Sequence, residues 1–99
     1  MKEIIWVKNR ELNNCFVRGG YTTLTITTII MKKKILWWYK YKIKQSIPYI
    51  SDPVYRGDEW TNYRLEYAAN EDRVAAEIEI NKIKNDNTKN KNRELQIYL

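Results

Sequence analysis

The sequence predicts an α+β fold in which an antiparallel sheet of three or four strands, built from the first half of the chain, packs against one long C-terminal helix. Three observations carry this. Residues 35–44 alternate, with Ile35, Trp37, Tyr39, Tyr41 and Ile43 on one side and Leu36, Trp38, Lys40, Lys42 and Lys44 on the other. That is the period-2 pattern of a strand with one buried face. Glycine and proline fall only at Gly19, Gly20, Pro48, Pro53 and Gly57, so turns belong to the first part of the chain. Beyond Asp58, the stretch Tyr67–Ile80 is rich in Ala and Glu, which are good helix residues and poor strand residues.

Taken in order, Glu3–Val7 reads as a first strand, and Cys15–Arg18 leads into a two-residue hairpin loop at Gly19-Gly20. Residues 21–30 form a strand with Leu24, Ile26 and Ile30 on one face and Tyr21, Thr23, Thr25 and Thr27 on the other. Met31–Lys34 is the expected tip of the next hairpin, although it lacks an Asn-Gly or Asp-Gly pair. Residues 46–57 are a connector, since each proline pushes its preceding residue out of helical geometry.

A helix over 58–84 has Asp58 as N-cap, Glu59 in the first turn, and Lys82 and Lys84 near its end, where they suit the helix dipole. The competing reading is a hairpin about Asn70–Asp72, because Tyr63, Leu65, Tyr67 and Ala69 alternate, as do Val74, Ala76, Ile78 and Ile80. It would make the whole chain a small all-β barrel. The run 85–92 reads as an exposed polar loop and 93–99 as a terminal edge strand.

The 99 residues allow one domain, 1–99, with one core. Such a chain buries only about two-thirds of its unfolded surface, so a second copy that adds to the core, as in a homodimer, is an option. The net charge of +6 is divided: +8 over residues 1–45, −5 over 46–81 and +3 over 82–99. The single cysteine, Cys15, permits no internal disulfide and reads as a small core residue of a cytoplasmic protein. No secretory signal is expected, because Ile4–Val7 runs straight into Lys8, Asn9 and Arg10. No membrane span is expected either, the longest apolar-leaning run being Tyr21–Met31.

The chain has no histidine, which removes the usual general base and every histidine metal site. Gly19-Gly20 fits neither a dinucleotide fingerprint nor a phosphate loop. Asp58 with Glu59, and Glu77 with Glu79, read as solvated helix charges. Asp52, Asp58 and Glu59 lack a spacing diagnostic of a cation site. A non-catalytic protein with no cofactor and no metal is expected.

The expected function is binding. Lys32, Lys33, Lys34, Lys40, Lys42 and Lys44 surround a cluster of aromatics, and on a strand Trp38 shares its side with the last three lysines. An aromatic platform beside ammonium groups suits nucleic acid, with single strands or RNA favoured over duplex DNA, or a nucleic-acid-processing protein. Arg18, beside the glycine turn, and Arg10 are candidates to extend the patch. The alternative is an inhibitor of the phage or mobile-element type, directed at a protein such as a host nuclease or defence complex. It would act through Asp58, Glu59, Trp60, Tyr63, Glu66 and Tyr67 of the acidic aromatic half.

Overall fold

The structure, a computed structural model, describes the backbone of residues 2–98 and the side chains of residues 2–86. Strands β1 (Lys2–Val17), β2 (Gly20–Ile35) and β3 (Trp38–Ser46) form an open antiparallel sheet in the order β1-β2-β3, and helix α1 (Arg56–Tyr98) lies across one face. This is the predicted α+β architecture. The barrel alternative fails because residues 63–80 are helical and β1 and β3 stay as open edges.

The strands are longer than their apolar patterns. Glu3–Val7 and Cys15–Arg18 are parts of one strand, because the polar stretch between them pairs with the threonines of β2. The register slips at Ile5 and again at Asn13–Asn14, where Asn14 has φ 56°. The first hairpin turns at Arg18-Gly19, one residue earlier than expected, with φ 46° and 88°. Positive φ at both central residues matches the right-handed strand twist. Arg18 is held there by its own N–H, which donates to Asp58 Oδ1 (2.7 Å), and by Nη2, which donates to the Ser51 carbonyl (2.9 Å).

The second hairpin turns at Leu36-Trp37 and not at Met31–Lys34, all four of which lie within β2 and pair across to β3. Lysines alternate between the two faces there, so a basic run needs no loop to reach water.

Helix α1 begins at Arg56, two residues before the expected start. Asp58 is therefore not the N-cap. It sits in the first turn and reaches back, Oδ2 accepting the N–H groups of Val54 (3.0 Å) and Tyr55 (3.2 Å) while Oδ1 accepts that of Arg18. One buried carboxylate thus ties the helix start to the connector and the first hairpin. Alongside it, Thr61 Oγ1 donates to the Phe16 carbonyl (2.6 Å), and Asn62 exchanges two hydrogen bonds with the backbone of Ile50. Phe16 lies over Gly57, where any Cβ would run into its ring.

The helix also continues through the segments expected as a loop at 85–92 and an edge strand at 93–99, being helical to Tyr98, with Leu99 outside the described residues. Nothing after Gly57 breaks a helix, and each Asn or Thr costs only about 0.7 kcal/mol or less against Ala.

The sheet-facing line of the helix is Asp58, Thr61, Leu65, Ala68, Ala69, Asp72, Ala76 and Ile80, all buried at three- and four-residue spacing. It makes two apolar clusters. Ile26, Leu65, Ala68 and Ala69 with Leu12, Leu24 and Ile47 form the first; Ile30, Ala76 and Ile80 with Ile5, Trp6, Tyr41 and Ile43 form the second. Each fully buried Ile or Leu contributes about 1.5–3 kcal/mol.

Between the clusters runs a polar row in which Lys8, Thr28 and Gln45 stand abreast on the three strands. Gln45 Nε2 donates to Thr28 Oγ1 (3.1 Å) and to the Ala69 carbonyl (2.7 Å). Asp72 Oδ1 lies 3.0 Å from Lys8 Nζ and 3.1 Å from Arg10 Nη2, fully buried and paired by charge without the alignment of a hydrogen bond. Among the described residues no helix is long and apolar enough to cross a membrane.

The helix start is open to test at two residues. The Asp58 carboxyl is held below its ordinary pKa, chiefly by the N–H of Arg18 and then by those of Tyr55 and Val54, while burial opposes the shift. A carboxyl depressed in the folded state stabilises the fold above its unfolded pKa of about 3.9, and that contribution fades as pH falls through the folded value. Asp58→Asn should therefore lower the melting temperature at pH 7 and shrink the stability lost between about pH 5 and 2, measured by thermal melts across that range. Gly57→Ala should also destabilise, by about 1–3 kcal/mol in chemical denaturation, although helix propensity alone favours alanine there.

Candidate nucleic-acid interface

Directly opposed residues of a sheet share a face, so the pairing register fixes what the uncovered side presents. At the Leu36-Trp37 end, Lys2, Lys33 and Lys40 stand abreast across the three strands. Behind them come Ile4, Met31 and Lys42, then Val7, Ile29 and Lys44, then Asn9, Thr27 and Ser46. Trp38, opposite Ile35, completes the face beside Lys40. Alternate residues of a strand lie about 6.7 Å apart, so Lys40, Lys42 and Lys44 form an evenly spaced ridge along β3.

The lysine heads surround an apolar floor. Lys2, Met31, Lys33, Ile35, Lys40 and Lys42 line a depression of about 220 Å³. None of Lys2, Lys33, Lys40, Lys42 and Lys44 has an acidic partner among the described residues. The one carboxylate on this face, Glu11 opposite Thr25, lies about 13 Å or more beyond the Lys44 row.

The bulge at Ile5 creates this composition. Continuing the register of Trp6↔Ile30 without a slip would set Glu3 opposite Lys33 and turn Lys2 to the other side. The extra residue reverses the alternation: Lys2 meets Lys33, and Glu3 meets Lys32 on the helix side.

The sequence-predicted residues divide between two faces and two ends. Lys33, Trp38, Lys40, Lys42 and Lys44 come together as described. Lys32 and Lys34 lie on the helix side, opposite Tyr41 and Tyr39, with Lys32 Nζ 3.9 Å from the centre of the Tyr39 ring. Trp37, expected in the buried face, sits in the turn at 85% exposure beside Leu36, which is also exposed and has φ 55°.

Arg18 does not join the patch. It belongs to the opposite hairpin, about 50 Å away along β2, where Asp58 and Ser51 hold it. Arg10 faces the helix, hydrogen-bonded to Glu71 (3.0 Å) and ion-paired with Asp72. Sequence reasoning missed Lys2 and the apolar floor, because only the pairing registers of β1 with β2 and of β2 with β3 reveal them.

Of the residues in the acidic half, Asp58 is buried and fully engaged by backbone N–H groups, so it is unavailable to a partner. Glu59, Trp60, Tyr63, Glu66 and Tyr67 are all exposed on the helix.

Comparison of the chain with protein-family models, curated proteins and solved structures gives no match.

Like charges directly opposed across strands repel, at a cost of roughly 0.2–1 kcal/mol per pair. Lys33 is the middle of three. Lys33→Gln should therefore raise the melting temperature by about 2–4 °C at low ionic strength, with the gain disappearing near 1 M salt, in melts of both proteins across a salt series.

Proposed function

We propose that this protein binds nucleic acid, single-stranded DNA or RNA, on the open face of its sheet. The observation that carries this is the row Lys2–Lys33–Lys40, backed by Lys42 and Lys44, with no carboxylate nearby among the described residues. A chain that gathers five lysines on one face and turns its nearest glutamate away destabilises itself unless an anion meets them. The regular spacing suits a polymer of charges, and each phosphate neutralised releases counterions.

Single strands fit better than duplexes for two reasons. The face is an open three-stranded sheet with no helix to enter a groove. It also carries the half-exposed Trp38, with Met31 and Ile35, among the lysines, and stacking of a base on an aromatic contributes about 1–3 kcal/mol. Binding of this kind is tolerant of sequence, because every base has a flat face while the lysines contact only phosphates.

Fluorescence anisotropy of labelled single-stranded DNA, RNA and duplex DNA tests the reading across a salt series. Single strands should bind most tightly, with affinity falling steeply as salt rises. Lys40→Gln with Lys42→Gln should flatten the plot of log K against log salt by about 1.4, since each phosphate left without its lysine takes about 0.7 from the slope. Trp38→Ala should weaken binding about tenfold with little change in that slope. Absence of binding at low salt, or binding indifferent to these substitutions, would remove the proposal.

A further inference from the structure

The side of α1 that faces away from the sheet is apolar as well. Trp60, Tyr63 and Tyr67 are 69%, 68% and 71% exposed, and Val74 and Ile78 are each more than half exposed. At 3.6 residues per turn these five lie opposite the buried line of Leu65, Asp72 and Ala76, in one continuous stripe. Large aromatics commonly bury 150–250 Å² each, so the stripe leaves on the order of 500 Å² of apolar side chain in water. A patch that size is among the largest a typical monomer exposes, and such patches are often functional.

We infer that the stripe is covered by the same stripe of a second copy, the two helices packing antiparallel about a two-fold axis near Tyr67 and Asn70. The apolar stripe is self-complementary in that arrangement, which also brings Glu59 of one copy toward Glu77 of the other at the flank. Trp60 falls opposite Ile78 of the second copy, Tyr63 opposite Val74, and Tyr67 opposite Asn70, so each large ring of the first half meets a smaller side chain of the second half.

The same register sets Glu66 beside Arg73 of the second copy, twice by symmetry, on one flank of the seam. Both are exposed, and neither has a partner within its own chain among the described residues. Antiparallel alignment also places opposite ends of the two helix dipoles together. Specific interfaces bury about 800 Å² per partner. The stripe supplies most of that, and Glu66, Asn70 and Arg73 alongside it supply more. A two-fold pairing of identical patches is the commonest closed form of assembly.

The resulting particle has four layers, sheet, helix, helix, sheet, with its two lysine faces pointing outward in opposite directions. Self-association concerns a surface separate from the sheet face, so it stands or falls independently of nucleic-acid binding.

The test is the mass of the full chain by sedimentation equilibrium over a concentration series, with circular dichroism to verify folding. The native protein should weigh twice the 12.0 kDa chain at micromolar concentration. Tyr67→Glu should be monomeric with an unchanged helical spectrum. Glu66→Arg alone and Arg73→Glu alone should each raise the dimer dissociation constant about tenfold by setting like charges together. The double variant should return to within about threefold of the native value. A native protein that is monomeric throughout would overturn the inference, as would a dimer indifferent to Tyr67→Glu, or one in which the double variant is as weak as the singles. In the first case the stripe would belong to a different protein.

Discussion

One helix can cover only one face of a sheet, and this protein has one helix and a three-stranded sheet. Every other feature answers to that constraint. The covered side takes the apolar clusters around Ile26 and Ile30, and the uncovered side must be soluble without a second layer. Over half its length it meets this with threonines and asparagines bonded across the strands, Thr27 to Asn9 (2.8 Å) and Thr23 to Asn13 (3.2 Å). Over the other half it is lysine set on a hydrophobic floor. Thr and Lys both protect a sheet from stacking on another, but only lysine commits the surface to a charge.

A helix laid on a sheet by a stripe of small and branched side chains could slide by one turn and still place apolar on apolar. The buried Asp72 removes that freedom. Its pairing with both Lys8 and Arg10 exists at one register, and a shift of one turn toward the second cluster would set the carboxylate against Ile30, whose cross-strand neighbours are Trp6 and Ile43. An unpaired buried charge costs about 3–5 kcal/mol, more than either cluster gains from a single fully buried side chain. Asp58 does the same at the start of the helix, where its three backbone N–H partners lie in the first hairpin and the connector. The two aspartates fix where the helix lies, while the apolar stripe supplies most of the attraction.

What was legible in the sequence depended on whether the signal was local. Period-2 alternation, which β3 keeps from Trp38 onward while Ile35 falls in β2 and Leu36-Trp37 in the turn, and the absence of glycine and proline after residue 57 pointed to sheet, helix and their order. The grouping of Trp38 with Lys40, Lys42 and Lys44 also followed from alternation alone, and the strand register puts them on one face. Turns were misplaced because both hairpins put left-handed backbone on residues other than the expected ones, Arg18 and Leu36, and at Arg18 the enforcing contact comes from Asp58, forty residues away. The polar segment after Lys84 looked like a loop because its composition is hydrophilic, but it holds no helix breaker, and a helix already nucleated on the sheet adds one hydrogen bond with each further residue.

The least legible feature is the one on which the character of the site turns. A single extra residue at Ile5 decides whether the end of the sheet is neutral or basic, since the uninterrupted register would pair Glu3 with Lys33 and screen Lys40 as well. A bulge there costs part of the hydrogen-bond ladder, and the resulting row of lysines costs more through repulsion. Both penalties fall at the same end of the sheet. The compensation within the chain is that Ile5 and Trp6 both pack into the second apolar cluster, which an unbroken alternation would forbid. The same slip that completes the core under the helix therefore clears the opposite face of negative charge, and the lysine surface is joined to the folding of the core through one residue of β1.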